Sequence, residues 1–171
     1  FGPNLRIEEF LYGFFLGGVA AVIYSAIEED KHHQRRHKTV PLLPFLITVS
    51  LAITILLASV WYADLSSIHV ALLILLLTSV VVIGKRNDLV FVAFVSGILT
   101  VAISLFGFIL LLLIYPQLVD VWWNQAALSG YRFAGVPVEE LFWAFFLGFC
   151  AGPIYEFRHG LVHRKSPRKR V

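Results

Sequence analysis

Five apolar runs, each close to the length of a membrane-crossing helix, take up most of this chain, and the charged residues fall mainly in short clusters between them. A helix needs about 20 apolar residues to cross the hydrocarbon core of a bilayer. The runs are approximately Glu9–Ile27, Pro41–Tyr62, Ile68–Gly84, Val90–Tyr115 and Glu139–Phe157. The third is short, and the fourth is long enough to tilt. Hydrophobic residues make up 58% of the 171, charged residues 15%, and the mean hydropathy is +0.80. A soluble core of this size could not enclose that much apolar surface. The expected fold is an all-α integral membrane protein with about five transmembrane helices, residues 1–171 forming one polytopic domain.

Charge placement gives the expected direction of each span. Lys31, Arg35, Arg36 and Lys38 follow the first run, Lys85 and Arg86 the third, and Arg158, Arg164, Lys165, Arg168, Lys169 and Arg170 the fifth. These alternate loops hold 12 of the 14 basic residues; Arg6 and Arg132 fall on the other side. Cytoplasmic loops are the ones enriched in Lys and Arg. The loop over 28–40 and the C-terminal tail are therefore expected to be cytoplasmic in a multi-pass protein of the cell membrane. The net charge of +3 belongs to that topology, and no nucleic-acid partner is expected. The lone cysteine, Cys150, lies inside an apolar run and offers no disulfide framework. The chain has no methionine, not even at position 1, and is expected to be a fragment lacking its N-terminal part. Residues Leu118–Tyr131 are too polar to cross but carry Trp122 and Trp123. They read as a stretch lying at the outer headgroup level.

The chain also repeats itself at a spacing of 131 residues, in copies near 2–24 and 133–155. From Glu8 to Tyr24, 9 of 17 positions match their partners: 8, 9, 14, 15, 16, 17, 20, 23 and 24. Phe, Leu and Ala recur in any span, but a Glu-Glu pair, a glycine and a tyrosine at fixed offsets carry more information. Both copies run the same way, so the first and fifth spans would be parallel equivalents. Residues four apart share a helix face. Gly13, Gly17 and Ala21 form a small-residue stripe on span one, and Ala144, Gly148 and Gly152 its equivalent on span five. Such stripes let helix backbones approach closely in lipid. The expectation is that spans one and five pack through them, with Glu9 and Glu140 facing each other near the outer end. Glu8 and Glu139, about 100° around the helix, would look toward neighbouring helices or the outer surface.

Each Glu-Glu pair is followed at once by aromatics: Phe10, Tyr12, Phe14 and Phe15 in one copy, Phe142, Trp143, Phe145 and Phe146 in the other. A first-turn glutamate also complements the helix dipole and can stay hydrated at the membrane edge. An acid beside aromatic faces further suits chemistry in which a proton is added to an alkene and the cation is held by π-clouds. Other features read as structural. His32, His33 and His37 belong to a solvated basic loop, and Ser96, Thr100 and Ser104 to small-residue packing on span four. Tyr24 and Tyr155 read as interfacial anchors, and Glu156 and Arg158 as headgroup-level charges.

Gly135-Val136-Pro137-Val138-Glu139-Glu140-Leu141-Phe142 resembles the Pro-x-Glu-Glu motif of the membrane-embedded lycopene cyclase domain family. The likeness is strong over about 130–157 and weaker over 2–24, where Arg6 replaces the motif proline. The family occurs as two similar domains, fused or as separate subunits, and the internal duplication looks like that arrangement. The resemblance implies a redox-neutral, proton-initiated cyclisation of the end group of an apolar isoprenoid or carotenoid. It implies Glu140, Glu139, Glu9 and Glu8 as acid/base residues, with Tyr12, Phe15, Trp143 and Phe146 against the substrate. No metal, nucleotide or other cofactor is expected. Partners would be the lipid bilayer and the apolar substrate, with a homo- or hetero-oligomer open. The competing expectation is a non-catalytic carrier or scaffold subunit with a cyclase-like fold. A glutamate-dependent CAAX-processing protease fits less well, because Gly13 and Ala144 stand where that family needs arginine.

Overall fold

A computed structural model describes residues 7–27, 32–35, 67–123 and 125–164, together with positions 47, 50, 51, 54, 55 and 58. Its long elements are helices: α1 (Ile7–Ile27), α2 (Ser67–Lys85) and α3 (Val90–Ile114), with a 3-10 turn Asn87–Leu89 between the last two. A short helix α4 (Leu118–Trp122) and a 3-10 turn Gln125–Ala127 lead to α5 (Val138–Ala151) and α6 (Ile154–His159). Among the described residues, Ile68–Lys85, Asn87–Ile114 and Val138–His159 are long and apolar enough to cross a membrane, and Leu11–Tyr24 is a shorter apolar helix. The fold is all-α and membrane-compatible. The span expected over Pro41–Tyr62 lies mostly outside the described residues, although all six described positions between 47 and 58 are helical.

Burial is arranged as lipid demands. Phe91, Phe94, Phe106, Leu113 and Ile114 on α3 are exposed, whereas Ala93, Ser96, Gly97, Thr100 and Ser104 are buried. Between apolar helices in lipid there is little hydrophobic driving force, so close van der Waals approach and local hydrogen bonds must hold the bundle. Thr100 Oγ1 donates to Ser96 O at 2.7 Å within α3. On α2, Ser79 Oγ lies 3.0 Å from Cys150 Sγ of α5, which also donates to Leu75 O at 3.2 Å. The expected small-residue role of Ser96, Thr100 and Ser104 is what the helices use.

The pairing of the stripes differs from expectation. Gly148 of α5 and Gly152, its C-cap, pack on Thr100 and Ser96 of α3, not on the stripe of α1. Helices α1 and α5 do meet, but Gly13 faces the Trp143 ring and Gly17 faces Leu147. The buried face of α1 is Leu16, Ala20 and Tyr24. The reason is steric: Trp143 and Leu147 hold the α1 and α5 backbones apart, whereas the side chains of Ser96 and Thr100 are short enough to let α3 and α5 close up. Tyr24 is 5% exposed with its ring edge-on to Phe91, so it is a packing residue rather than an anchor, while its repeat partner Tyr155 is exposed.

The basic end of the bundle holds two further departures. Glu156, expected among headgroups, is buried, and its backbone carbonyl accepts a hydrogen bond from Arg86 at 3.5 Å. Arg86 is itself buried and grips Asp88 through Nε at 2.8 Å and Nη2 at 2.7 Å. The α2–α3 turn is thereby tied to α6, and the Arg86 guanidinium is paired within the protein. Strand β1 (His32–Arg35) pairs antiparallel with β4 (Leu161–Arg164), in register His33 with His163. The loop after α1 and the tail after α6 therefore meet at one end of the molecule. Directly opposed residues of an antiparallel pair have Cα atoms about 4.5–5.5 Å apart, within disulfide reach. Cysteines placed at 33 and 163 should cross-link within one chain on mild oxidation in membranes, as read by peptide mass spectrometry. Failure of that pair, with linkage instead at a shifted pair, would refute the register.

Candidate functional site

At the opposite end, a hairpin sets the start of α5. Strand β2 (Arg132–Phe133) pairs with β3 (Val136–Pro137) across Ala134 and Gly135, whose φ angles are +50° and +83°. Two positive φ values are what a tight two-residue hairpin of the favoured twist requires. Glycine meets that demand without strain, and a Cβ at 135 would also sit 3.1 Å from the Leu112 side chain. Val136 and Pro137, the second strand of the hairpin, are fully buried. Pro137, at φ −57°, is the N-cap of α5, which puts Glu139 and Glu140 in the first turn. There the exposed N–H groups of the helix favour negative charge.

The two carboxyls have different surroundings. Glu139 is buried; its Oε1 accepts the Ser129 backbone N–H at 2.5 Å, and its Oε2 has no hydrogen-bond partner among the described residues. Glu140 is half-buried, and its Oε1 accepts the indole N–H of Trp123 at 2.7 Å. Glu140, expected as the buried acid, is the less buried of the two, and Glu139, expected to look toward neighbouring helices or the outer surface, is the more buried. Helix geometry alone cannot show that residues 125–137 fold back over the start of α5 and cover Glu139.

Trp123, the donor to Glu140, belongs to a set of four linked aromatic rings. Tyr12 stacks on Trp143 with centroids 5.7 Å apart and planes 20° apart. Phe108 meets Tyr12 edge-on at 6.3 Å and Trp123 edge-on at 5.8 Å. The Tyr12 hydroxyl lies 3.0 Å from Ser104 Oγ, tying α1 to α3 at this level. The rings thus link α1, α3, α5 and the end of α4. Trp123 is held by a polar clasp in its own segment. Arg132 Nη2 donates to Asp120 Oδ1 at 2.6 Å and Gln125 Oε1 at 2.9 Å, while Gln125 Nε2 donates to Val119 O at 2.7 Å.

Of the residues expected at the site, the structure brings together Glu139, Glu140, Tyr12 and Trp143. Phe15 does not join them: it is 66% exposed and touches Phe14 edge-on. Phe146 packs on Phe145, in a separate aromatic group that includes Phe94 and Phe149. The side chains of Glu8 and Glu9 lie outside the described residues. Trp123, Phe108 and Ser129 were not anticipated here. For Phe108 a signal was present, because it continues the Ser96, Thr100, Ser104 stripe by one more step of four. Trp123 reads from sequence as a headgroup anchor, and nothing in helical spacing predicts that its N–H reaches a residue 17 positions on.

Such a site can exchange protons through two adjacent carboxyls and can hold a cation against aromatic faces, each such contact being worth roughly 0.5–2 kcal/mol. It lies at one end of a membrane-compatible helix bundle. Residues 66–158, more than half of the chain, match the family model described as lycopene cyclase. The chain belongs to the lycopene cyclase family, which ties it to carotenoid cyclisation. The match includes the Glu139–Glu140 copy and stops short of the Glu8–Glu9 copy. No curated protein and no solved structure matches the chain.

Proposed function

We propose that the protein is a carotenoid end-group cyclase working within the membrane by redox-neutral acid/base chemistry. The observation that carries this reading is the hydrogen bond between Glu140, one of two adjacent first-turn glutamates, and Trp123, whose ring is linked through Phe108 and Tyr12 to Trp143. One carboxyl gives its proton to the terminal double bond of an acyclic carotene, leaving a tertiary carbocation. An internal double bond of the same chain attacks that cation and forms the ring carbon–carbon bond. A carboxylate then removes a proton next to the new cation, and the ring double bond forms. Every atom and electron of the substrate is retained, so the product is an isomer. The π-faces lower the energy of both cations. Glu8 and Glu9 are the corresponding acid/base pair of the first copy in this reading, with the weaker claim because Arg6 replaces the proline there.

The test is expression of the full-length gene in a bacterium that accumulates lycopene, followed by chromatography of the pigments. The expected result is loss of lycopene with the appearance of isomers carrying cyclised end groups. A membrane-inserted protein that leaves lycopene and every other acyclic carotene unchanged would overturn the cyclase reading and favour a carrier or scaffold.

A further inference from the structure

We propose that Trp123 is a positioning residue: its indole N–H fixes the Glu140 carboxyl against the aromatic rings, so that Trp123 acts in the reaction through Glu140. This rests on the cyclase reading for its consequence, but on geometry for the contact itself. Trp123 Nε1 donates to Glu140 Oε1 at 2.7 Å, within the range of a well-formed N–H···O hydrogen bond. The same side chain lies edge-on to Phe108, which in turn meets Tyr12, so the donor and the cation-holding rings are one unit. A flexible glutamate in a first helical turn samples several rotamers, and a donor at a fixed point selects one. The point is fixed because the segment carrying Trp123 is clasped by Arg132, Asp120 and Gln125 and anchored by the buried Val119. Neighbouring Trp122 is 61% exposed and is left to the anchoring role expected of both tryptophans. The adjacent pair thus divides its work, one ring facing outward and the other reaching the carboxyl.

Trp123→Phe keeps an aromatic ring and removes the indole N–H donor to Glu140. In membranes supplied with acyclic carotene, it is expected to lower kcat about tenfold while KM stays within about twofold, a loss on the scale of misplaced reacting groups. In a Glu140→Gln background the same change should cost nothing more, since there is then no transferable proton to place. A purely structural tryptophan would give additive losses in the two backgrounds. A second measurement does not depend on activity. In detergent-solubilised protein labelled at its tryptophan nitrogens, four indole N–H resonances arise from Trp61, Trp122, Trp123 and Trp143. Glu140→Leu should shift the Trp123 resonance well beyond the shifts of the other three. If that resonance is unmoved, or if the losses are additive, the proposal is wrong. A parent protein without cyclase activity would sink the cyclase reading and with it the place of Trp123 in the reaction, whatever the resonance shows.

Discussion

Glu140→Gln is expected to lower the rate of carotene cyclisation by at least ~10²-fold, the usual scale of general acid–base catalysis. Glutamine has the same size, and its amide oxygen can still accept the Trp123 N–H that Glu140 accepts at 2.7 Å. The substitution therefore removes a transferable proton and leaves the local geometry in place. Glu139→Gln is expected to be nearly as costly, because Glu139 stands in the same first turn and is the more deeply buried of the two. Its Oε1 contact with the Ser129 N–H survives if glutamine turns its oxygen that way, whereas its Oε2 environment must then take an NH2 group. Glu8→Gln is expected to cost less than either, since that copy lies outside the matched region and lacks the proline. The measurement is the initial rate of pigment conversion, normalised to protein in the membrane and accompanied by helical circular dichroism. A folded Glu140→Gln protein converting carotene at the parent rate would show that the proton comes from elsewhere.

The elements that could be read from the sequence are those governed by length and apolarity. The spans expected at Ile68–Gly84 and Val90–Tyr115 are α2 and α3 to within a residue or two, and Glu139–Phe157 corresponds to α5 and α6 with a break at Gly152-Pro153. What could not be read was partner choice. A stripe of small residues says that something approaches closely, not which helix does so, and both α1 and α3 carried suitable stripes. The decision falls to the bulky residues beside each stripe, Trp143 and Leu147, which face α1. The repeat illustrates the same limit, because matched positions lie in unlike surroundings. Phe14 is exposed whereas Phe145 is packed against Gly97, and Tyr24 is buried whereas Tyr155 is not. At the site, the motif located the carboxyls and half of the expected aromatics. The cover over Glu139 and the donor to Glu140 come from Ser129 and Trp123, in a segment without periodicity that the Arg132 clasp holds.

The largest expected loss of stability follows from the α3–α5 contact. A methyl group at Gly148 would sit 2.7 Å from Ser96 O and equally close to Thr100 Cβ, with Thr100 Oγ1 nearer still. One at Gly152 would strike the Cβ and Oγ of Ser96. Overpacking a tight interface costs about 1–3 kcal/mol, occasionally more, and at Gly148 the obstruction includes backbone that cannot rotate away. Gly148→Ala is therefore expected to lose at least that much, seen as a lower midpoint in denaturant-titrated unfolding and as less folded protein in membranes. Gly107→Ala on α3 is the internal control, because a Cβ there meets nothing within 4 Å. Second-site changes separate the two glycines. Ser96→Gly removes every Ser96 atom that a methyl at 152 would strike, so it should restore much of the loss in Gly152→Ala. It leaves Ser96 O and Thr100 in place, so it should do little for Gly148→Ala. Equal tolerance of alanine at 107, 148 and 152 would mean that α3 and α5 do not pack along Ser96, Thr100, Gly148 and Gly152. The link from Glu140 through Trp123 to Phe108 would lose its support with that contact, since α5 carries the carboxyl and α3 carries the ring between Trp123 and Tyr12.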